Sequence, residues 1–208
     1  LFIANGFTRT STTDIARHVG CNQALIHYYF RTKENLFQQI FVQKFEHTLT
    51  RLLEPLTSEL PFNEKITNCI NIYFNLLQDN RQLPTCIINE LAFNSERREF
   101  IRNNFIKNQI RQQAYYRYCE TIEHEIQQGN IRPIQPFDLI LNIISLCLFT
   151  FITLPIYTDF LERTPQQVEE YINHRRQEII TQIITSLYPW YFIISIKNYL
   201  HNSEKYIN

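Results

Sequence analysis

Glycine occurs only three times in 208 residues, at Gly6, Gly20 and Gly129, and this scarcity limits the possible folds more than any other feature. A sheet-rich chain needs glycine where hairpin turns drive φ positive. Here the apolar residues instead recur at steps of three and four, the period of a helix with one buried face. The expected fold class is therefore all-α. A chain of this length can bury a small core and a larger one.

Caps and breakers place the helices. Leu1 to Asn5 reads as the end of a helix truncated on its N-terminal side and closed by Gly6 as a left-handed cap. Ser11, with Asp14 three residues later, is a capping-box variant that opens a helix to about Val19. Gly20-Cys21-Asn22 is a tight turn. Asn22 caps a helix over Gln23 to Phe30, and Thr32 caps a longer one starting at Lys33. The longer helix carries the stripe Leu36, Phe37, Ile40, Phe41, Phe45, Leu49, Leu52 and Leu53 and ends near Pro55. Later helices are expected over Asn63 to Asp79, Pro84 to Phe93, Ser95 to Gln128, Phe137 to Leu154 and Pro165 to Leu187.

Two short helices joined by a three-residue turn, with a long helix directly after, have the layout of a helix-turn-helix. In that motif the first helix braces the DNA backbone while the second enters the major groove. Ile15, Ala16, Val19, Ile26 and Phe30 are expected to face inward, and Tyr29 is assigned to the core with them. Charge restricts DNA binding to one region, because 20 Lys and Arg balance 20 Asp and Glu over the whole chain. Within residues 1–47, Arg9, Arg17, Arg31, Lys33 and Lys44 outnumber Asp14, Glu34 and Glu46. That modest local excess suits phosphate contact.

The runs Leu1-Phe2, Gly6-Phe7, Thr10-Ser11, Asp14-Ile15-Ala16, Val19-Gly20-Cys21-Asn22, Ile26-His27-Tyr28-Tyr29-Phe30 and Thr32-Lys33-Glu34-Asn35-Leu36 resemble the N-terminal signature of the TetR family of bacterial transcriptional regulators. The resemblance covers about the first 40 residues. It implies a three-helix DNA-binding domain over 1–47, a helical ligand-binding and dimerisation domain over 48–190, and a C-terminal extension over 191–208. It further implies a cytoplasmic homodimer that represses from a near-palindromic operator in double-stranded DNA and is released by a small apolar or aromatic inducer.

The same resemblance distributes roles. Gln23, Ala24 and Leu25 begin the recognition helix; Gln23 can pair with adenine N6 and N7, and Leu25 can touch a thymine methyl. His27 and Tyr28 match positions that bond phosphates. Lys33 matches a phosphate-binding lysine at a helix N-terminus, where the dipole also favours an anion. Thr12 and Thr13 match further DNA contacts. Two positions depart from the pattern: Ala24 stands where glycine is common, and Leu25 where a small hydroxyl residue is common. They leave open an alternative, a dimeric helical interaction protein that has lost sequence-specific DNA binding.

For the larger part, the Leu139 to Leu154 face and the stripe Val168, Ile172, Ile179, Ile183 and Leu187 are the expected dimer surfaces. Phe74, Leu77, Ile88, Phe93, Tyr115, Tyr118, Ile122, Phe149 and Tyr157 are the candidate ligand-lining residues, with plain core packing as the competing reading. Leu139 to Tyr157 is apolar, yet Asn142, Ser145, Thr150 and Thr153 interrupt it and no basic flank anchors it, so a buried helix is expected in place of a membrane span. The scattered cysteines Cys21, Cys69, Cys86, Cys119 and Cys147 are expected to be free thiols. No glycine-rich loop, nucleophile motif or metal-spaced cluster points to an enzyme, a cofactor or a metal. Residues 191–208 read equally as an amphipathic helix through Phe192, Ile196, Tyr199 and Leu200 or as a disordered tail.

Overall fold

The computed structural model describes residues 1–92, 94–103 and 109–188, and its regular elements there are all helical. They are α1 (Phe2–Arg9), α2 (Thr12–Val19), α3 (Gln23–Phe30), α4 (Lys33–Leu53), α5 (Phe62–Asp79), α6 (Leu83–Ala92), α7 (Ser95–Ile101), α8 (Gln109–Gln127), α9 (Pro136–Pro155) and α10 (Pro165–Leu187). A 3₁₀ turn over Glu54–Thr57 follows α4, and a π-helical turn over Ile156–Phe160 follows α9. The single helix expected over Ser95 to Gln128 corresponds to α7 and α8; residues 104–108 between them lie outside the described residues, as do Phe93 and the 191–208 extension.

Two cores organise the described residues. The head, α1 to α3 with the start of α4, packs Phe2, Ala16, Ile26, Leu36 and Phe37 together, with Phe7, Ile15, Cys21, Phe30 and Phe41 around them. Helix α4 runs without a break past residue 47 into the body, so head and body share one rod. The body core joins α5, α8, α9 and α10 through Ile66, Ile70, Phe74, Leu77, Tyr118, Ile122, Leu139, Cys147, Phe151, Ile172, Ile179 and Leu187.

Helix α10 is started by a capping box in which Thr164 and Gln167 bond each other's backbone N–H, with Pro165 at the first position. Its stripe Val168, Ile172, Ile179, Ile183 and Leu187 is buried inside the protomer's own core. This corrects the expectation that the stripe meets a partner subunit: antiparallel neighbours α5 and α9 already cover it. Arg176 occupies the stripe position between Ile172 and Ile179. Its guanidinium lies 4.9 Å from the Phe74 ring centroid and donates from Nη2 to Gln78 Oε1 at 2.6 Å.

Helix α9 is half committed. Leu139, Cys147, Thr150, Phe151 and Leu154 face the core, while Phe137, Leu141, Ile144 and Phe149 are exposed on the other side. By length and composition the stretch Pro136–Phe160 could cross a bilayer, with mean hydropathy 2.3 and only 33% of its most apolar window buried. The described residues therefore leave a long apolar face of α9 uncovered.

Candidate nucleic-acid interface

The helix-turn-helix is built from short-range bonds that its sequence specifies. At the start of α2, Asp14 N–H donates to Ser11 Oγ at 3.0 Å, and the Asp14 carboxylate accepts from the Ser11 backbone and hydroxyl. Those two bonds, with nearby Arg17, hold the Asp14 carboxyl below its ordinary range. Gly20 closes α2 in the left-handed region, at φ 72° and ψ 29°. Asn22 Oδ1 then accepts from Ala24 N–H at 2.9 Å and starts α3. Thr32 Oγ1 does the same for Asn35 N–H at 3.1 Å and starts α4.

Gly6 departs from expectation. Its φ of 78° is positive, but its ψ of 165° lies outside the left-handed helical region, in a region open essentially to glycine alone. The chain bends there within α1, and the freed Gly6 carbonyl accepts from the buried Thr10 hydroxyl at 2.8 Å. A second unusual backbone sits between α3 and α4. Arg31 has φ 64° and ψ −52°, and Thr32 N–H donates to Phe30 O at 2.7 Å across it, the rare and strained form of the γ-turn.

Gln23 is the hub of the two short helices. Its Nε2 donates to Thr12 Oγ1 at 3.1 Å, and its Oε1 accepts from the Thr13 hydroxyl at 3.1 Å. His27 Nε2 lies 3.4 Å from the same amide nitrogen, and His27 Nδ1 lies 3.3 Å from Arg31 O. One tautomer meets both demands, with Nδ1–H donating to Arg31 and Nε2 accepting from Gln23. Four of the residues assigned to DNA contact thus hold one another: Thr12, Thr13, Gln23 and His27.

The outward face of α3 is formed by Ala24, Leu25, Tyr28 and Tyr29. Tyr28 and Tyr29 are each 69% exposed, and their rings meet edge to face at 5.2 Å. Tyr29 is thereby corrected from core to surface: Ile26 and Phe30 form the buried stripe, and Tyr29 stands four residues from exposed Leu25. Val19 is likewise corrected, being 63% exposed at the end of α2, where Ala16 alone is fully buried. Lys33 turns its ammonium inward, donating to Phe7 O at 3.1 Å and lying 4.3 Å from the Phe7 ring centroid. A phosphate at the α4 N-terminus would have to compete with that carbonyl.

The expected ligand-lining residues are not drawn into one pocket among the described residues. Phe74, Leu77, Tyr118 and Ile122 interlock in the body core, and the Tyr118 hydroxyl is occupied by Pro136 O at 2.8 Å. Ile88 is half-buried on α6, and Tyr115 is exposed on α8. Tyr157 stacks on Tyr171 at 3.9 Å. Phe149 is corrected outright: two residues beyond buried Cys147, it points about 200° away from the core stripe and is 63% exposed. It lines an open groove of about 610 Å³ between α9 and α10 with Ser145, Thr153, Tyr171, His174 and Arg175.

The described residues thus form a small head with a capped helix-turn-helix, the layout of a DNA-binding motif, joined by one long helix to a helical body. Residues 1–40 match the model of the family described as bacterial regulatory proteins, tetR family. The fatty acid metabolism regulator protein of Bacillus subtilis is 27% identical over 79 residues, 38% of this chain and 41% of that protein. The probable regulator YttP of the same organism is 29% identical over 98 residues, 46% of this chain and 47% of its own length. The matched stretch is thus less than half the length of these two relatives.

Solved structures agree in fold over most of the chain. The regulator FadR of Bacillus subtilis, in complex with stearoyl-CoA, superposes with a TM-score of 0.64 at 19% identity, covering 89% of this chain and 92% of that one. The TetR-family regulator PfmR of Thermus thermophilus gives 0.59 at 16% identity, covering 86% and 92%.

Proposed function

We propose that the protein is a ligand-responsive, DNA-binding transcriptional regulator of the TetR type, working as a cytoplasmic homodimer and repressing from a near-palindromic operator. The observation that carries this reading is the outward face of α3: Ala24, Leu25, Tyr28 and Tyr29 stand exposed on a helix whose two ends are tied down by Asn22, Gln23 and His27. A rigid helix with an uncovered side suits insertion into a major groove. Tyr28 and Tyr29 offer phenol hydroxyls to phosphates, and Leu25 offers an apolar tip to a thymine methyl.

A second copy is the occupant that best covers α9. Its exposed Phe137, Leu141, Ile144 and Phe149 lie along one side of a 20-residue helix, next to the α10 surface bearing Tyr171, His174 and Glu178. Pairing these faces about a two-fold axis buries the apolar side and presents two heads to two half-sites. The inducer in this reading is an apolar molecule; Phe74, Leu77 and Ile122 are packed on one another in the body core and offer it no room as they stand. The kinship in fold to a regulator solved with stearoyl-CoA favours an acyl chain.

The test is a gel shift on DNA upstream of the chain's own coding sequence, with salt varied. Lys33→Ala is expected to weaken binding to all sequences and to lower the salt slope by about one, as for one lost phosphate contact. Gln23→Ala is expected to change base preference; because Gln23 also links α2 to α3, its helix content is checked in parallel. Equal, sequence-blind effects of both would overturn the division of roles. The alternative, an interaction protein without sequence-specific DNA binding, draws support from the inward Lys33 and the apolar tip at Leu25. Absence of any duplex preference at low salt would favour it.

A further inference from the structure

Most of the basic side chains in the head already have partners. Arg9 Nε donates to Asn5 O at 3.0 Å, Arg17 pairs with Asp14 at 3.3 Å, and Lys33 donates to Phe7 O at 3.1 Å while its ammonium lies over the Phe7 ring. Among the described residues of the head, the basic side chain that no carboxylate, carbonyl or ring holds is that of Arg31, which is exposed at the junction of α3 and α4.

The same residue carries the head's one non-glycine backbone with positive φ among the described residues. Its φ of 64° and ψ of −52° are those of the rare form of the γ-turn, a shape that glycine takes with less strain. Two bonds keep the turn in place. Thr32 N–H donates to Phe30 O at 2.7 Å, and the Arg31 carbonyl lies 3.3 Å from His27 Nδ1, which donates to it in the tautomer given above. The Arg31 peptide is thereby tied to the side of α3 that carries His27. A long cationic side chain thus stands where glycine would be easier, and strain of this kind collects at binding sites, where the surroundings hold it and the function uses it. A cation at the end of α3 also answers the helix dipole, but that role needs no positive φ, and His27 already stands in the last turn.

We propose that Arg31 is a phosphate-binding residue, held by its turn so that the guanidinium meets the DNA backbone beside the groove that α3 enters. The proposal rests on the DNA-binding function proposed above and adds to it a contact outside the two short helices. A guanidinium can take one phosphate through two parallel N–H bonds, which an ammonium cannot. Lys33 must first leave Phe7 O to reach an anion, whereas Arg31 gives up no partner among the described residues. Such a contact positions the head on the duplex and carries no base information.

The test measures the affinity of the full chain for a mixed-sequence DNA duplex and for the DNA upstream of its own coding sequence over a range of salt, with chemical denaturation of the same variants. Arg31→Gln removes the charge and keeps the strained turn, Arg31→Gly removes both, and Arg31→Lys keeps the charge. Both neutral variants are expected to bind both duplexes about eightfold more weakly for each head at about 0.1 M salt, with the slope of log affinity against log salt shallower by about 0.9 for each head bound. Arg31→Lys is expected to keep most of the slope. Arg31→Gly is expected to be more stable than the parent while binding less well. A merely structural arginine predicts the opposite pattern: its loss lowers stability and affinity together and leaves the slope unchanged, and that result overturns the proposal. Neutral variants that keep the parent's slope on both duplexes would discard the role of Arg31 and leave the regulator reading standing, whereas a parent chain that binds neither duplex at low salt would discard both.

Discussion

Three backbone positions in the head test how local geometry is held. Gly6 adopts φ 78° and ψ 165°, and a Cβ placed there meets nothing within 4 Å, so the obstacle to other residues is conformational strain and not a clash. Gly6→Ala is expected to cost about 2 kcal/mol. Gly20→Asn, in the left-handed helical region that Asn tolerates, is expected to cost well under about 1 kcal/mol. Arg31 presents the reverse case, a side chain where φ is 64°. Arg31→Gly is expected to raise stability by about 1 kcal/mol by removing γ-turn strain. Chemical denaturation of the three variants checks all of these signs, and a destabilised Arg31→Gly would remove the strain argument. The thiols make a separate case. Burial raises the Cys69 and Cys147 thiols from 9.0 to about 12. Their contribution to stability is full below pH 9.0 and is lost as pH rises from there through about 12, because only the unfolded chain ionises them in that interval. At pH 8 a thiol reagent should reach Cys21 in the folded protein and Cys69 and Cys147 only on unfolding.

At the level of elements, caps decide where helices start, and most were readable. Ser11 with Asp14, Asn22, Thr32 and Thr164 with Pro165 each start a helix where expected. Asn22→Ala is expected to cost about 1 kcal/mol, concentrated in α3, and to weaken DNA binding more than a surface substitution of equal stability cost. Thermal melts set against binding curves check this. The α3 stripe was less readable. The core reading of Tyr29 rests on its place where the helix turns back onto its neighbours, yet the residue is 69% exposed beside Tyr28. Phe149, a candidate ligand-lining residue, stands exposed on α9. Counting period from buried Cys147 finds Phe149, two residues on; Tyr29 stands three residues from buried Ile26 and four from exposed Leu25, so period alone does not place it. No such count finds Arg31, because nothing in an arginine marks a positive φ.

At the scale of the molecule, α5 and α9 bury the α10 stripe within one chain, and α9 is left half bare. Leu141→Glu and Phe149→Glu are expected to break the proposed pairing through α9, since each places a charge where apolar area of roughly 2 kcal/mol per side chain would otherwise be removed from water. Sedimentation measures the outcome, and a dimer unchanged by both would move the interface elsewhere. Arg176, inside the α10 stripe, shows why the stripe was misassigned: an apolar heptad-like pattern tells that a helix face is buried, not what buries it.

Helical class, helix starts, the turn geometry at Gly20 and the identity of the head as a helix-turn-helix follow from the sequence alone, because each depends on residues within about four positions of one another. What packs on what was decided only in three dimensions. That Gln23 is tied to Thr12 and Thr13, that Lys33 rests on Phe7, and that Arg97 bridges Glu34 and Glu90 are contacts between elements, set by the angles at which whole helices cross. A residue's type and period specify which way it faces along its own helix; only the arrangement of the other helices determines whether water, a carboxylate or another apolar face is waiting there.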